Sequence, residues 1–222
     1  MSDGNGHPDG VPVPRPGAAG DDLMDVLGRS RELGLLGDGG LEVHVRNALA
    51  FLPEIDSSSR VLDLGSGGGV PGLVLAVVRP DLTIVLLDAT QRRAEFLIDA
   101  VDTLGLGERV TVALGRAEEL ARWPQWRRQF QVVTARSFGP PAVTAECAVG
   151  FLEGPGSRLL VSEPPGESTS RWPADGLLLL GLTRGSRTSS DGTTIQRLDV
   201  IEPCDERFPR RVGVPTKRPM FR

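Results

Sequence analysis

The feature that most constrains this chain is Asp63-Leu64-Gly65-Ser66-Gly67-Gly68-Gly69-Val70-Pro71-Gly72, set directly behind the apolar run Val61-Leu62. It reads as a β-strand that ends in a carboxylate and breaks into glycines, after which Leu73 to Val78 begins with helical spacing. Glycines are needed where a backbone turns tightly and lies against a ligand with no Cβ in the way. Further on, a second apolar run, Ile84-Val85-Leu86-Leu87, ends in a second carboxylate, Asp88. An acid at the tip of the second strand of a βαβ unit holds ribose hydroxyls. Together the two features point to a site for a nucleoside cofactor.

The acid in the first turn narrows the choice of nucleoside. Gly67, Gly69 and Gly72 satisfy G-x-G-x-x-G, but that match is weak in a chain with 28 glycines. The stronger frame is D-x-G-x-G-x-G, filled by Asp63, Gly65, Gly67 and Gly69. A pyrophosphate wants amides and a helix N-terminus and gains nothing from a carboxylate there. S-adenosylmethionine has no phosphate and carries an ammonium and a sulfonium, so Asp63 suits it. A nicotinamide or flavin cofactor is the alternative. A glycine-rich turn with no ligand is the plainest one, and it leaves Asp88 unexplained.

A chain of 222 residues, 39% hydrophobic and with net charge −4, has the length and composition of one globular domain with tails. No apolar run reaches the ~18 residues of a membrane span, so no membrane partner is expected. Residues 1–20, with five glycines, four prolines and no apolar core, read as a disordered tail rather than a signal peptide. Residues 21–222 then form a single domain, with a helical cap before the glycine motif and a basic segment at the end. Cys147 and Cys204 lie far apart and without His or Cys at ligand spacing, which argues against disulfides and zinc alike. The expectation is a cytoplasmic monomer without a metal. The 25 basic residues comprise 24 arginines and one lysine, a bias that warns against reading every Arg as functional. Their distribution is uneven: Arg207 to Arg222 holds six basic residues and no acid. Such a segment suits a polyanion, and equally a solvated end.

The apolar periodicity predicts helices over Asp22–Leu35 and Leu41–Leu52. Strand and helix then alternate: strand Arg60–Leu64, helix Gly72–Val78, strand Thr83–Asp88, helix Gln91–Leu104, strand Val110–Leu114. A helical turn opens at Arg116, followed by strand Gln131–Ala135, helix Pro141–Phe151 and strand Arg158–Val161. Leu177–Leu182 and Thr193–Ile201 read as strands of an antiparallel edge. The alternation implies an α/β fold with a mostly parallel, doubly wound, Rossmann-like sheet. Ligands in such sheets bind at the carboxyl ends of the strands, which here collect Asp63, Gly65, Asp88, the Gly115–Glu118 turn and Arg136-Ser137-Phe138. Glu118 is a candidate for the adenine amino group, or simply an acid that favours a helix N-terminus. Arg136 sits where a substrate approaches, unless it is a surface salt bridge.

These residues resemble the bacterial small-subunit ribosomal RNA guanine-N7 methyltransferases, the RsmG/GidB family. The carrying motifs are Asp63 to Gly72, Leu86-Leu87-Asp88 with Arg92-Arg93 and Phe96-Leu97, Gly115-Arg116-Ala117-Glu118-Glu119, Ala135-Arg136-Ser137-Phe138, and Phe208 to Pro219. The resemblance spans roughly residues 41–161 and 207–219. It implies a class I S-adenosylmethionine-dependent methyltransferase, with Gly65, Val70, Ala117, Glu118 and Arg136 against the cofactor. It also implies ribosomal RNA or a small-subunit precursor as partner. Three regions depart from the family: no Asn/Trp-rich segment precedes the fold, the His-x-x-Asp-Ser-Leu helix is here His44-Val45-Arg46-Asn47-Ala48-Leu49, and residues 163–198 follow no family pattern.

Guanine N7 is an unprotonated lone pair, so its methylation needs no general base. The chain has no Asn/Asp-Pro-Pro-Tyr/Phe motif after its fourth strand, contains no Tyr, and places no Cys just after strand four or five. Catalysis then reduces to positioning and electrostatic matching. Arg136 is the residue expected to orient substrate or the methionine carboxylate. Arg210, Arg211, Lys217 and Arg218 are expected to hold phosphates that flank the target. A dehydrogenase on the same fold and a non-catalytic cofactor-binding paralogue are the competing readings.

Overall fold

A computed structural model describes residues 18–164 and 171–221. Most of the tail expected over 1–20 lies outside these residues, and its last three positions form the start of the first helix. The chain opens with α1 (Ala18–Glu32) and α2 (Leu41–Leu49), then a 3₁₀ turn over Leu52–Glu54. The alternating body follows as β1 (Arg60–Leu64), α3 (Gly72–Val78), β2 (Thr83–Asp88), α4 (Gln91–Thr103), β3 (Val110–Leu114), α5 (Ala117–Leu120), β4 (Val132–Ala135), α6 (Pro141–Val149) and β5 (Arg158–Glu163). It ends in α7 (Ala174–Leu178), β6 (Leu182–Ser190), β7 (Thr193–Val200) and α8 (Val214–Lys217).

The seven strands form one sheet in the order β3-β2-β1-β4-β5-β7-β6. β1 to β5 pair in parallel, and β7 pairs antiparallel with both β5 and β6. Parallel strands are covered on both faces and so read as continuous apolar runs, which is why Val61 to Leu64 and Ile84 to Leu87 are buried throughout. Successive residues point to opposite faces: Leu62 and Leu64 enter one core cluster, while Val61 enters the other. The first cluster lies under α5, α6 and α7, and the second under α1 to α4. Before the glycine motif, α1 packs on α3 and α4 and α2 on α3.

One expected element is different in kind. Leu177–Leu182 is not a strand: α7 occupies Ala174–Leu178, and β6 begins only at Leu182. Leu177 and Leu180 are buried while Leu178 and Leu179 are exposed, a three-residue spacing that belongs to a helical turn and not to a pleat. Pro173 at the N-cap with Asp175 in the first turn starts the helix. Gly181, at φ +73°, ends it with a backbone angle few other residues adopt.

β1 lies between β2 and β4, so the chain winds outward in both directions from it. The crevice above the carboxyl ends of β1 and β4 is the topological switch point where doubly wound sheets bind ligands. No helix among the described residues is long and apolar enough to cross a membrane.

Candidate active site

Two adjoining cavities open at the carboxyl ends of the parallel strands. The first, about 240 Å³, is lined by Gly65, Asp88, Arg93, Ala117, Glu118 and Thr216, among others. The second, about 370 Å³, runs over the ends of β4 and β5. Ser137 and Phe138 belong to the walls of both.

The turn from β1 to α3 builds the floor of the first cavity. Gly65 has φ +74°, and a Cβ there would meet the Phe138 ring at 2.6 Å, so only glycine lets that ring close over the strand end. Gly72 has no left-handed angle, yet a Cβ there would meet Asp63 Oδ2 at 2.6 Å. The reason is that Asp63 reaches across the turn: its Oδ2 accepts from the Gly72 amide at 3.0 Å and its Oδ1 from the Thr134 hydroxyl at 2.9 Å. Asp63 therefore braces the turn. It is buried and does not line the cavity, which corrects the expectation that its carboxylate faces the cofactor ammonium. Burial pushes this carboxyl up to about 6, against the pull of Thr134, Ser66, Gly72 and the Arg136 charge.

That shift has a sign that can be tested. An acid whose folded-state pKa lies above its ordinary 3.8 favours the fold most in its protonated form. The stabilisation is complete below about pH 4 and is lost as pH rises through about 6, at a cost of about 3 kcal/mol. Asp63→Asn is expected to remove this dependence. Denaturation midpoints at pH 4 and 7 should differ more for the natural chain than for the variant, and equal differences would refute the assignment.

Asp88, at the tip of β2, does line the cavity. Its Oδ2 accepts from the Gly67 amide at 3.0 Å, its Oδ1 accepts from the Thr90 amide at 2.9 Å, and Arg93 approaches Oδ2 at 3.6 Å. A carboxylate oxygen has two lone pairs, so each retains an acceptor position for a ribose hydroxyl. The glycine turn and the second acid are thus one unit, tied through Gly67. Gly69 lies in the same turn, and Val70 is buried in the core beneath it, which leaves only its backbone for a ligand. Ala117 supplies an apolar wall on the far side.

Glu118 is buried at the rim, where its Oε1 accepts from the Gly213 amide at 3.1 Å and from Arg116 at 3.3 Å. Burial alone would raise its pKa, but amide donors and the Arg116 charge outweigh it and hold the carboxyl below its ordinary value. Through Gly213 this acid pins the C-terminal segment to the cavity, and Thr216 of α8 joins the lining. The basic motif at the chain end therefore completes the first cavity. Arg210 is part of that closure. Its guanidinium and amide hold the buried Glu146 of α6 at 2.6–2.9 Å, and it also donates to the Arg218 carbonyl at 2.7 Å. A guanidinium committed to a buried carboxylate is not available to phosphate, so Arg210 leaves the set expected to bind RNA. Arg211, Lys217 and Arg218 are exposed.

Arg136 follows β4 and lines the second cavity. Its Nη2 donates to His44 Nδ1 at 2.7 Å, and His44 Nε2 donates to the Gly37 carbonyl at 3.1 Å. A carbonyl only accepts, so Nε2 carries the ring proton and Nδ1 is the acceptor. Burial lowers the Arg136 pKa and the nearby Asp63 offsets part of that fall. His44 is a partner of Arg136 that the sequence signalled only as part of the α2 motif. It lies 92 positions from its partner, a separation no local pattern reveals.

The family model described as rRNA small subunit methyltransferase G matches residues 40–162 of this chain. The chain belongs to this family. The ribosomal RNA small subunit methyltransferase G of Moorella thermoacetica is 34% identical over 187 residues, 80% of this chain and 77% of that protein. The protein of the same name from Sorangium cellulosum is 34% identical over 175 residues, 78% and 71% of the two chains. Among solved structures, an O-methyltransferase from Bacillus cereus in complex with SAH aligns with TM-score 0.60 at 14% identity, over 85% of this chain and 93% of that one. A variant of MtNAS in complex with S-adenosylmethionine aligns with TM-score 0.57 at 14% identity, over 84% and 75%. At such identity these two speak for the fold, the class I methyltransferase fold that the family resemblance implied and the strand–helix alternation fits. As a GidB-family member the chain is an S-adenosylmethionine-dependent methyltransferase, which sets aside the dehydrogenase alternative.

Proposed function

We propose that this protein methylates N7 of a guanine in small-subunit ribosomal RNA. The observation that carries the reading is the pair of adjoining cavities sharing the Ser137–Phe138 wall. One has the acid and the glycine turn suited to a nucleoside, and the other is roomy enough for a base. S-adenosylmethionine supplies an electrophilic methyl group. Asp88 is the acceptor for its ribose, Ala117 and Glu118 flank the adenine end, and Phe138 separates adenosyl site from base site. Arg136, braced by His44, orients the reacting groups across that wall. The base needs no deprotonation, so the absence of a general base from the proposed set is consistent with the chemistry. Because the deep major groove of A-form RNA does not admit side chains, the target guanine must be splayed out to enter the second cavity.

Mapping N7-methylguanosine in small-subunit rRNA from a strain with and without this gene tests the activity directly. Disappearance of one site on deletion, and its return with the purified protein and S-adenosylmethionine, is the expected result. An unchanged pattern refutes the ribosomal reading. The exposed cations make a separate prediction. Replacing two of Arg211, Lys217 and Arg218 by Ala should make the dependence of log RNA affinity on log salt shallower by about 1 to 2 units. S-adenosylmethionine binding should stay nearly flat over the same salts. An RNA slope indifferent to these changes would make the segment a solvated rim.

A further inference from the structure

We propose that Glu163 is the residue by which the second cavity reads guanine, its carboxylate accepting from the N1–H and N2–H of the target base; this deepens, and rests on, the guanine-methyltransferase reading. Glu163 ends β5 and lines the cavity with Phe138, Arg171 and Trp172. Strand alternation fixes which side it takes. Leu159 and Val161, two and four residues earlier on β5, belong to the same core cluster as Trp172, and Val161 and Trp172 also line the cavity. Glu163 therefore points to that face and lines the cavity.

The carboxylate is held through one oxygen. Its side chain is only 1% exposed. Arg171 Nη1 at 2.9 Å and the Trp172 indole N–H at 3.1 Å both donate to the same oxygen, Oε1. Among the described residues, Oε2 receives no hydrogen bond. With Oε1 taken by these two donors, Oε2 is the oxygen that this cavity-lining residue offers as an acceptor. Arg171 also balances the charge, so the acid remains available as an acceptor.

Of the RNA bases, guanine fits this acceptor through its adjacent N1–H and N2–H donors. Adenine presents a lone pair at N1 and would face the carboxylate with like polarity. Orientation agrees with the chemistry, because N7 lies on the opposite edge of the purine from N1 and N2. A guanine seated with that donor edge on Glu163 leaves N7 free to face Ser137 and Phe138, which line this cavity and the cofactor cavity alike. Phe138 and Trp172 provide aromatic surface beside the base.

The same contact aids the reaction. As the N7–methyl bond forms and the sulfur–methyl bond breaks, the sulfur keeps the bonding pair and positive charge passes to the purine, with no proton transferred. That charge makes N1–H and N2–H stronger donors, so their bonds to Glu163 tighten toward the transition state. A contact of this kind raises turnover as well as affinity.

The experiment uses the full chain with S-adenosylmethionine and small-subunit rRNA carrying either guanosine or inosine, which lacks N2, at the mapped methylation site. The natural protein should prefer guanosine by about 10- to 100-fold in kcat/KM. Glu163→Gln should lower kcat/KM on guanosine by a similar factor and shrink the preference to within about threefold, with S-adenosylmethionine affinity unchanged. Equal use of guanosine and inosine by the natural protein overturns the proposal without needing any variant, and leaves the guanine activity standing. A variant that melts earlier but keeps the full preference makes Glu163 structural and also overturns it. If the natural protein methylates neither RNA, the function reading falls and this proposal falls with it.

Discussion

Arg136→Ala is expected to cut turnover about 100-fold or more while changing S-adenosylmethionine affinity by no more than a few-fold. The side chain reaches the second cavity from the end of β4, and its contact with His44 uses one of five guanidinium donors. A group that aligns two reacting partners acts on the rate because misplacement by about 1 Å costs about 100-fold. Its loss should therefore appear in kcat rather than in cofactor binding. His44→Ala is expected to give a smaller fall, about 10-fold, since Arg136 would keep its charge and lose its brace. Single-turnover methylation of small-subunit rRNA, normalised to folded protein, separates the cases. If Arg136→Ala lowers the melting temperature and leaves turnover per folded molecule intact, the side chain is only a structural link between β4 and α2.

The parts of this molecule that were legible in sequence are those whose cause is local. Arg60–Leu64 and Thr83–Asp88 stand where apolar runs closed by Asp or Gly put them, because a strand covered on both faces must be apolar throughout, and Val110–Leu114 stands where expected although this edge strand is only partly buried. The turn after β1 was legible because Gly65 and Gly72 answer steric demands that few other residues meet. What stayed hidden is the partner of each charge. Asp63 has the sequence position of a ligand contact, yet it folds inward onto Gly72 and Thr134, and only the pairing of β1 with β4 brings Thr134 there. Arg210 looked like its basic neighbours until α6 presented a buried Glu146, 64 positions earlier in the chain. The run Leu177 to Leu182 is ambiguous in itself, since an apolar stretch of that length fits either period. Gly181 and the exposed pair Leu178-Leu179 decide it in favour of helix and turn.

Asp88→Ala is expected to weaken S-adenosylmethionine binding about 30-fold or more, and the pattern of the loss identifies what Asp88 does. Hydrogen bonds from ribose hydroxyls to a charged acceptor are worth about 2 kcal/mol, which is roughly 30-fold in affinity. A second effect acts in the same direction. The Gly67 amide gives its hydrogen to Asp88 Oδ2, so removing the carboxylate also frees the glycine turn from the tip of β2. Ribose is common to S-adenosylmethionine and its demethylated product S-adenosylhomocysteine, whereas only the former carries the sulfonium charge. Calorimetry with both should therefore show the same fold-loss. A loss confined to S-adenosylmethionine would mean that Asp88 senses the sulfonium, and unchanged affinity for both would remove the acid from the site. Gly67→Val tests the other half of the same unit. Its backbone sits at φ +54°, and a Cβ would come no closer than 3.8 Å to the nearest protein atoms. The expected loss of binding then arises from the strained angle and from side-chain bulk in the ligand's path. If the variant keeps full cofactor affinity, the glycine turn is a fold element alone, and Asp88 would have to hold the nucleoside without it.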